Sequence, residues 1–140
     1  IDLPLSLMLP EDYITDESLR LNIYRRLSRV RSFDELDEMA AELADRFGPL
    51  PQEVENLMYA VRIKLLSISA GIASITLEGD CLKLIPYEGL NFRQVQTFGG
   101  ITGLHVNRFN ITLEISRLSG SWKQALELTL ERGLAGIQYR

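Results

Sequence analysis

The sequence has very few of the side chains on which covalent catalysis, disulfides and zinc sites depend. Its 140 residues include one cysteine, Cys81, and one histidine, His105. A single cysteine excludes an internal disulfide, and one Cys with one His cannot supply the ligands of a usual zinc site. His105 lies in an alternating strand pattern and Cys81 opens a strand among apolar residues, so we expect ordinary sheet roles for both. The sequence therefore predicts no nucleophilic triad, cofactor or metal site in this chain.

The sequence also lacks a long apolar run and a signal sequence. Its uncharged stretch at residues 65–77 is far shorter than the ~20 residues that a membrane helix needs. The opening IDLPLSLMLP has no initiator Met, basic region or cleavage site, so it does not resemble a signal peptide. We expect a domain of a longer cytoplasmic protein with no membrane partner.

An excess of positive charge is absent as well. The chain has 15 basic and 19 acidic residues and a net charge of −4. A chain with this charge has no overall attraction for DNA or anionic membrane. Any contact with nucleic acid would have to be local.

Two amphipathic helices are predicted in the first third of the chain. Thr15 or Asp16 offers an N-cap for helix one, at about residues 16–31. Residues 32–35 (SFDE) form a capping box that starts helix two. The inward-facing stripes are Leu19, Ile23, Leu27 and Val30 on helix one, and Leu36, Met39, Ala40, Leu43 and Phe47 on helix two.

The four residues GPLP, at 48–51, separate helix two from helix three. Gly48 can adopt the left-handed conformation that closes a helix, and Pro49 prevents its continuation. Pro51 has the fixed φ that suits the first position of the next helix, which we expect to run to about Ala70. Its inward-facing residues are predicted to be Val54, Leu57, Met58, Val61, Leu65 and Ile68.

The period becomes alternating after Gly71. Residues 72–78 and 81–87 flank Gly79 and Asp80, so they are predicted to form a β-hairpin. Residues 90–98 follow, with aromatic and apolar residues spaced by three, and favour a short helix.

A second hairpin is predicted from residues 103–107 and 111–117, and a last helix is capped by Ser119 or Ser121. The fold class is therefore α+β: an N-terminal three-helix segment, then two antiparallel β-hairpins with a short intervening helix and a C-terminal helix. We expect residues 1–15 to be an extended lead-in from a neighbouring domain, and residues 16–140 to be one domain.

Charge is segregated between the first two helices. Basic residues concentrate on helix one and acidic residues on helix two: Arg20, Arg25, Arg26, Arg29 and Arg31, against Asp34, Glu35, Asp37, Glu38, Glu42 and Asp45. In one interpretation the two helices pair with each other across a helical hairpin. In a second, part of the acidic face is free for a basic partner.

A third interpretation has the basic helix contact nucleic-acid phosphates through Arg25, Arg26 and Arg29. Acid–base catalysis by Glu42 and Asp45 is not expected, because an acidic helix is easily solvated and would not shift their pKa values strongly.

Two motifs bear a family resemblance. Residues 9–27 read LPEDYITDESLRLNIYRRL, and residues 42–58 read ELADRFGPLPQEVENLM. The chain resembles the C-terminal domain of the bacterial transcription-repair coupling factors (Mfd proteins), in which such motifs follow one another in this order. The opening IDLP also resembles that family's junction with its preceding translocase domain, which would make residues 1–15 the lead-in and residues 16–140 the regulatory domain.

The resemblance implies a non-catalytic, autoinhibitory role. Family members are ATP-driven translocases on double-stranded DNA that remove stalled RNA polymerase and recruit UvrA for nucleotide excision repair. ATP would bind elsewhere in the full-length protein. The terminal domain is expected to mask the UvrA-binding surface of an N-terminal UvrB-like module, with Glu42 and Asp45 facing its arginines. The alternative is a nucleic-acid-binding accessory module that uses Arg25, Arg26 and Arg29.

Overall fold

The structure is a computed structural model that describes residues 1–87, 91–92, 103–106, 110–118 and 122–138. The chain divides into two compact units. The helical unit is Leu5–Leu65, and the sheet unit combines Ile1–Pro4 with Leu66–Arg140. No helix among the described residues is long and apolar enough to cross a bilayer.

The helical unit contains α1 (Glu17–Ser28), α2 (Phe33–Phe47) and the part of α3 (Gln52–Ala70) that precedes Leu66. Helix α1 begins after its N-cap Asp16, whose carboxylate accepts hydrogen bonds from the backbone amides of Ser18 and Leu19. Helix α2 begins after its N-cap Ser32, whose hydroxyl accepts a hydrogen bond from the backbone amide of Glu35. Asp16 and Ser32 are therefore confirmed as caps, but the Glu35 carboxylate accepts from the Arg31 amide, at 3.4 Å, and not from the Ser32 amide that a capping box uses.

The three helices share one apolar core. Their inward faces meet residues of the segment before α1, which lacks regular structure. The buried members are Leu9, Ile14, Ile23, Leu27, Val30, Leu36, Met39, Leu43, Val54, Met58 and Leu65. On α3, Ile68 is exposed and Ile63 is buried, so the predicted inward direction of Ile68 is wrong.

The sheet unit contains a four-stranded antiparallel sheet. Its strands are β1 (Ile72–Glu78), β2 (Cys81–Pro86), β4 (Leu104–Val106) and β5 (Ile111–Glu114), in the order β1-β2-β5-β4. The predicted β1–β2 hairpin and the β4–β5 pairing are confirmed, and so is the α+β class.

The remaining elements of the sheet unit are short strands and two helices. Strand β3 (Asn91–Phe92) pairs with β6 (Ile137–Gln138), and the helices are α4 (Ile115–Leu118) and α5 (Trp122–Gly136). Asn91 and Phe92 are strand residues where a short helix was expected, while the other residues of that prediction, 90 and 93–98, lie outside the described residues.

The second hairpin ends three residues earlier than the sequence predicts. Strand β5 stops at Glu114, opposite Cys81, where its partner β2 begins. From there the chain turns into α4, because the Asp80 carboxylate accepts hydrogen bonds from the Ser116 amide and hydroxyl. The Asp80 carbonyl accepts the Ile115 amide at 2.8 Å. The predicted strand over residues 115–117 is therefore wrong.

Candidate functional site

The site that the sequence predicts lies on α2, which presents one apolar face and one acidic face. Each residue turns an α-helix by about 100°, so residues 34, 38, 41 and 45 form one ridge within about 60° of each other. Asp34, Glu38, Ala41 and Asp45 are all exposed. The opposite face carries the buried residues Leu36, Met39 and Leu43. We call the exposed residues Asp34, Glu38, Ala41 and Asp45 the acidic ridge.

The C-terminal end of α2 is fixed by a turn and by a tyrosine. Gly48 closes the helix with φ 93° and ψ −176°, an extended region at positive φ and not the predicted left-handed helical one, and its amide donates to the Ala44 carbonyl. The Tyr13 hydroxyl donates to the carbonyls of Leu43, at 3.1 Å, and Gly48, at 2.9 Å. Burial raises the pKa of Tyr13 above the ordinary tyrosine value, which already lies well above physiological pH, so its hydroxyl is a neutral donor. The last turn of α2 is anchored, and it carries Asp45.

Glu42 is already engaged within the helical unit. Its two carboxylate oxygens accept hydrogen bonds from both terminal nitrogens of the Arg26 guanidinium on α1, at 2.6 and 3.1 Å. Arg46 lies 3.7 Å from one of the same oxygens. The hydrogen bonds from Arg26 lower the pKa of Glu42 and raise the pKa of Arg26. The pairing of the two helices, one of the interpretations from charge, therefore exists at this position.

Asp45 differs from Glu42 although it lies only one turn away. It is exposed, and within the described residues it makes no ion pair or hydrogen bond. The two carboxylates point about 60° apart around the helix axis. Asp45 is on the acidic ridge. Glu42 lies beside the ridge, on the side of α2 that faces α1.

The arginines of the nucleic-acid interpretation also divide into two kinds. Arg26 is committed to Glu42, whereas the side chains of Arg25 and Arg29 are exposed and have no ion pair within the described part of the chain. The Arg20 guanidinium donates a hydrogen bond to the Ile14 carbonyl at 2.6 Å, so it stabilises the segment that precedes α1. Two of the three proposed phosphate ligands are therefore available.

A groove runs between α1 and α2 beside this ion pair. Its volume is about 330 Å³, and its lining residues are Arg26, Arg29, Val30, Glu35, Glu38, Met39 and Glu42. The sequence did not predict this groove, nor which arginine pairs with Glu42. The opposite charges of the two helices indicated that they could pair, but they did not determine how each helix is rotated about its axis, and that rotation decides which side chains meet.

The residues considered for chemistry lie in the sheet unit. His105 is an exposed residue of β4, with Nε2 3.3 Å from Glu114 Oε1, and Cys81 is half-buried at the start of β2. Among the described residues, no three His, Cys, Asp or Glu side chains are grouped closely enough to hold a metal ion.

Comparisons with known proteins agree on one family. A family model described as the TRCF domain matches residues 3–94. A transcription-repair-coupling factor of Staphylococcus epidermidis is 32% identical over 137 residues, which cover 91% of this chain and 12% of that protein. The transcription-repair-coupling factor of Mycobacterium tuberculosis is 34% identical over 116 residues, with 82% and 9% covered. The chain thus spans about a tenth of the length of these relatives.

A solved structure shares the fold. It is described as the crystal structure of the C-terminal domain of transcription-repair coupling factor, with a TM-score of 0.77 and 17% sequence identity. The match covers 95% of this chain and 89% of that chain.

Proposed function

The chain belongs to the TRCF domain family, the family of the C-terminal domain of transcription-repair coupling factors, and we propose that it is the autoinhibitory domain of such a protein. In this proposal it has no catalytic group or cofactor of its own. It packs on an N-terminal UvrB-like module and masks the surface that binds UvrA. The full-length protein would bind ATP elsewhere, translocate on double-stranded DNA, displace stalled RNA polymerase and act in the cytoplasm.

The observation that carries the proposal is the state of Asp45. It is an exposed carboxylate without an intramolecular partner in the described residues, on a helix end that Gly48 and Tyr13 hold in place. A charge held on a rigid element loses little conformational freedom when it pairs with a partner. Opposite charge on the partner sets register and encounter rate. A basic surface on the UvrB-like module is the complement of this ridge.

Glu42 has a second role in the proposal. Its bidentate pair with Arg26 leaves the side chain 38% exposed, so a basic group of the partner can still approach it. A carboxylate has about four lone-pair sites and can accept from two guanidinium groups at once. Glu42 and Asp45 together form the polar part of the masking contact, with Asp45 as the free member.

UvrA binding by the full-length protein tests the proposal. Asp45→Ala alone, and Glu42→Ala with Asp45→Ala, are expected to increase UvrA binding, because each weakens the mask. A change of about 1–2 kcal/mol in the masking equilibrium alters the unmasked fraction about 5- to 30-fold. Glu55→Ala is the control, since Glu55 is an exposed acidic residue of α3 away from the ridge. If the double variant binds UvrA no better than the unmodified protein, the masking role is wrong.

Binding to nucleic acid remains the alternative function, and Arg25 and Arg29 are the exposed residues that would support it. Duplex DNA binding by the full-length protein distinguishes the two functions. A loss of affinity and a shallower salt dependence in an Arg25→Gln, Arg29→Gln variant would favour phosphate contact by α1. The masking proposal expects neither change.

A further inference from the structure

The ion pair between Arg26 and Glu42 occupies the carboxylate that a partner would otherwise bind. Both terminal nitrogens of Arg26 reach it, at 2.6 and 3.1 Å, so each oxygen already accepts one hydrogen bond from this arginine. The side chains remain 41% and 38% exposed. The pair can therefore open by side-chain rotation alone, without movement of α1 or α2.

Arg26 has another carboxylate within its groove. Glu38, one turn before Glu42 on α2, lines the same groove and is exposed, with no ion pair within the described residues. The floor of the groove includes Val30 and Met39, which are 7% and 6% exposed and suit the apolar stem of an arginine. An Arg26 side chain displaced from Glu42 would therefore remain in a groove that contains a further exposed carboxylate.

We propose that Arg26 is an intramolecular competitor for Glu42 and weakens the contact between α2 and a basic partner surface. This inference rests on the proposed masking function. Arg26 places a positive charge beside the carboxylate that the partner's cations approach, so it reduces their attraction. A partner group that reaches Glu42 must displace Arg26 or share the carboxylate with it. The mask is thereby kept weak enough for release.

Competition predicts opposite effects for the two members of one ion pair. Removal of Glu42 deprives the partner of a ligand and opens the mask. Removal of Arg26 leaves that ligand with only the more distant Arg46, 3.7 Å from one oxygen, and closes the mask. If Arg26 instead held Glu42 in a productive position, its removal would open the mask as the removal of Glu42 does. The sign of the Arg26 effect therefore separates competition from positioning.

The experiment measures UvrA binding by the full-length protein with Arg26→Gln, Glu42→Gln and both changes. Arg26→Gln is expected to weaken apparent UvrA binding by two- to fivefold, since an exposed pair of up to ~1 kcal/mol corresponds to about fivefold. Glu42→Gln is expected to strengthen binding. In the Glu42→Gln background, Arg26→Gln should have a smaller effect than in the unmodified protein, which shows that the two residues act through each other.

Two controls separate competition from loss of charge or of folding. Arg25→Gln removes the same charge from an exposed neighbour on α1 and is expected to change UvrA binding less than Arg26→Gln does. Arg26→Lys retains the charge but loses the bidentate geometry, so its UvrA binding should lie between those of the unmodified protein and Arg26→Gln.

The outcomes also separate this inference from the proposed function. If Glu42→Gln strengthens UvrA binding but Arg26→Gln strengthens it too or leaves it unchanged, competition is wrong and the masking function stands. If neither Glu42→Gln nor Asp45→Ala changes UvrA binding, the masking function is wrong and the inference is overturned with it.

Discussion

Replacement of Gly48 by alanine should destabilise the protein through backbone strain alone. Gly48 ends α2 at φ 93° and ψ −176°, a region that only glycine adopts readily. Apart from its chain neighbours, no described heavy atom lies within 4 Å of a Cβ built at this position, so a steric clash does not contribute. Residues forced into such a region cost of order 1–3 kcal/mol. We expect Gly48→Ala to lower the free energy of unfolding by that amount.

Gly79, in the turn between β1 and β2, is the matched control. Its φ is 59°, typical of the left-handed helical region, and no described atom lies within 4 Å of a Cβ built there. Asparagine tolerates the left-handed region but not the conformation of Gly48. In urea denaturation monitored by circular dichroism, Gly79→Asn should therefore lower the free energy of unfolding less than Gly79→Ala does. Gly48→Asn should be as severe as Gly48→Ala.

If the dependence of the unfolding free energy on urea concentration has the same slope in all variants, the shift of the transition midpoint measures the change in stability. If Gly48→Ala unfolds at the same urea concentration as the unmodified protein, the backbone at this corner does not require glycine. If Gly48→Asn is well tolerated, the corner adopts the left-handed helical conformation instead.

Three further predictions concern the same helix and its supports. Tyr13→Phe removes the donor to the carbonyls of Leu43 and Gly48 and should cost about 0.5–2 kcal/mol in the free energy of unfolding. Leu43→Ala, at a fully buried position, should cost about 2–5 kcal/mol, whereas Asp45→Ala should change stability by less than about 0.5 kcal/mol. The pKa of Glu42 is lowered by its arginine partner on α1, so the stabilisation is present above the ordinary carboxyl pKa and is lost as the pH falls through the lowered value. Glu42→Gln should therefore cost up to ~1 kcal/mol at pH 7 and progressively less as the pH falls through the lowered pKa of Glu42, measured by urea denaturation at each pH; a loss that does not shrink as the pH falls would contradict this.

The ends of the helices could be predicted from the sequence because capping is local. The side chains of Asp16 and Ser32 accept hydrogen bonds from backbone amides two or three residues later in the chain, and Gly48 closes α2 by its own backbone conformation. These features depend on neighbours within one turn. The class of the fold follows from the same local patterns, together with the change from helical to alternating periodicity after Gly71.

Features that depend on distant residues could not be predicted in the same way. Helix α4 replaces the end of a predicted strand because Asp80, 36 residues before Ser116, provides its cap. Arg26 pairs with Glu42, 16 residues away, although helix one offers several arginines. Which arginine reaches the carboxylate depends on the relative rotation of two helices, which periodicity does not determine. The choice between a paired and a free carboxylate at 42 and 45 therefore required the structure.

The most direct test of the masking role is a charge reversal with rescue. UvrA binding would be measured for the full-length protein with Asp45→Arg, and again after the facing arginine of the UvrB-like module is changed to aspartate. Asp45→Arg alone should increase UvrA binding, because two positive charges would then oppose each other across the mask. The compensating change should restore weak binding. If Asp45→Arg leaves UvrA binding unchanged, or if no reversal on the module restores the mask, Asp45 does not face that surface.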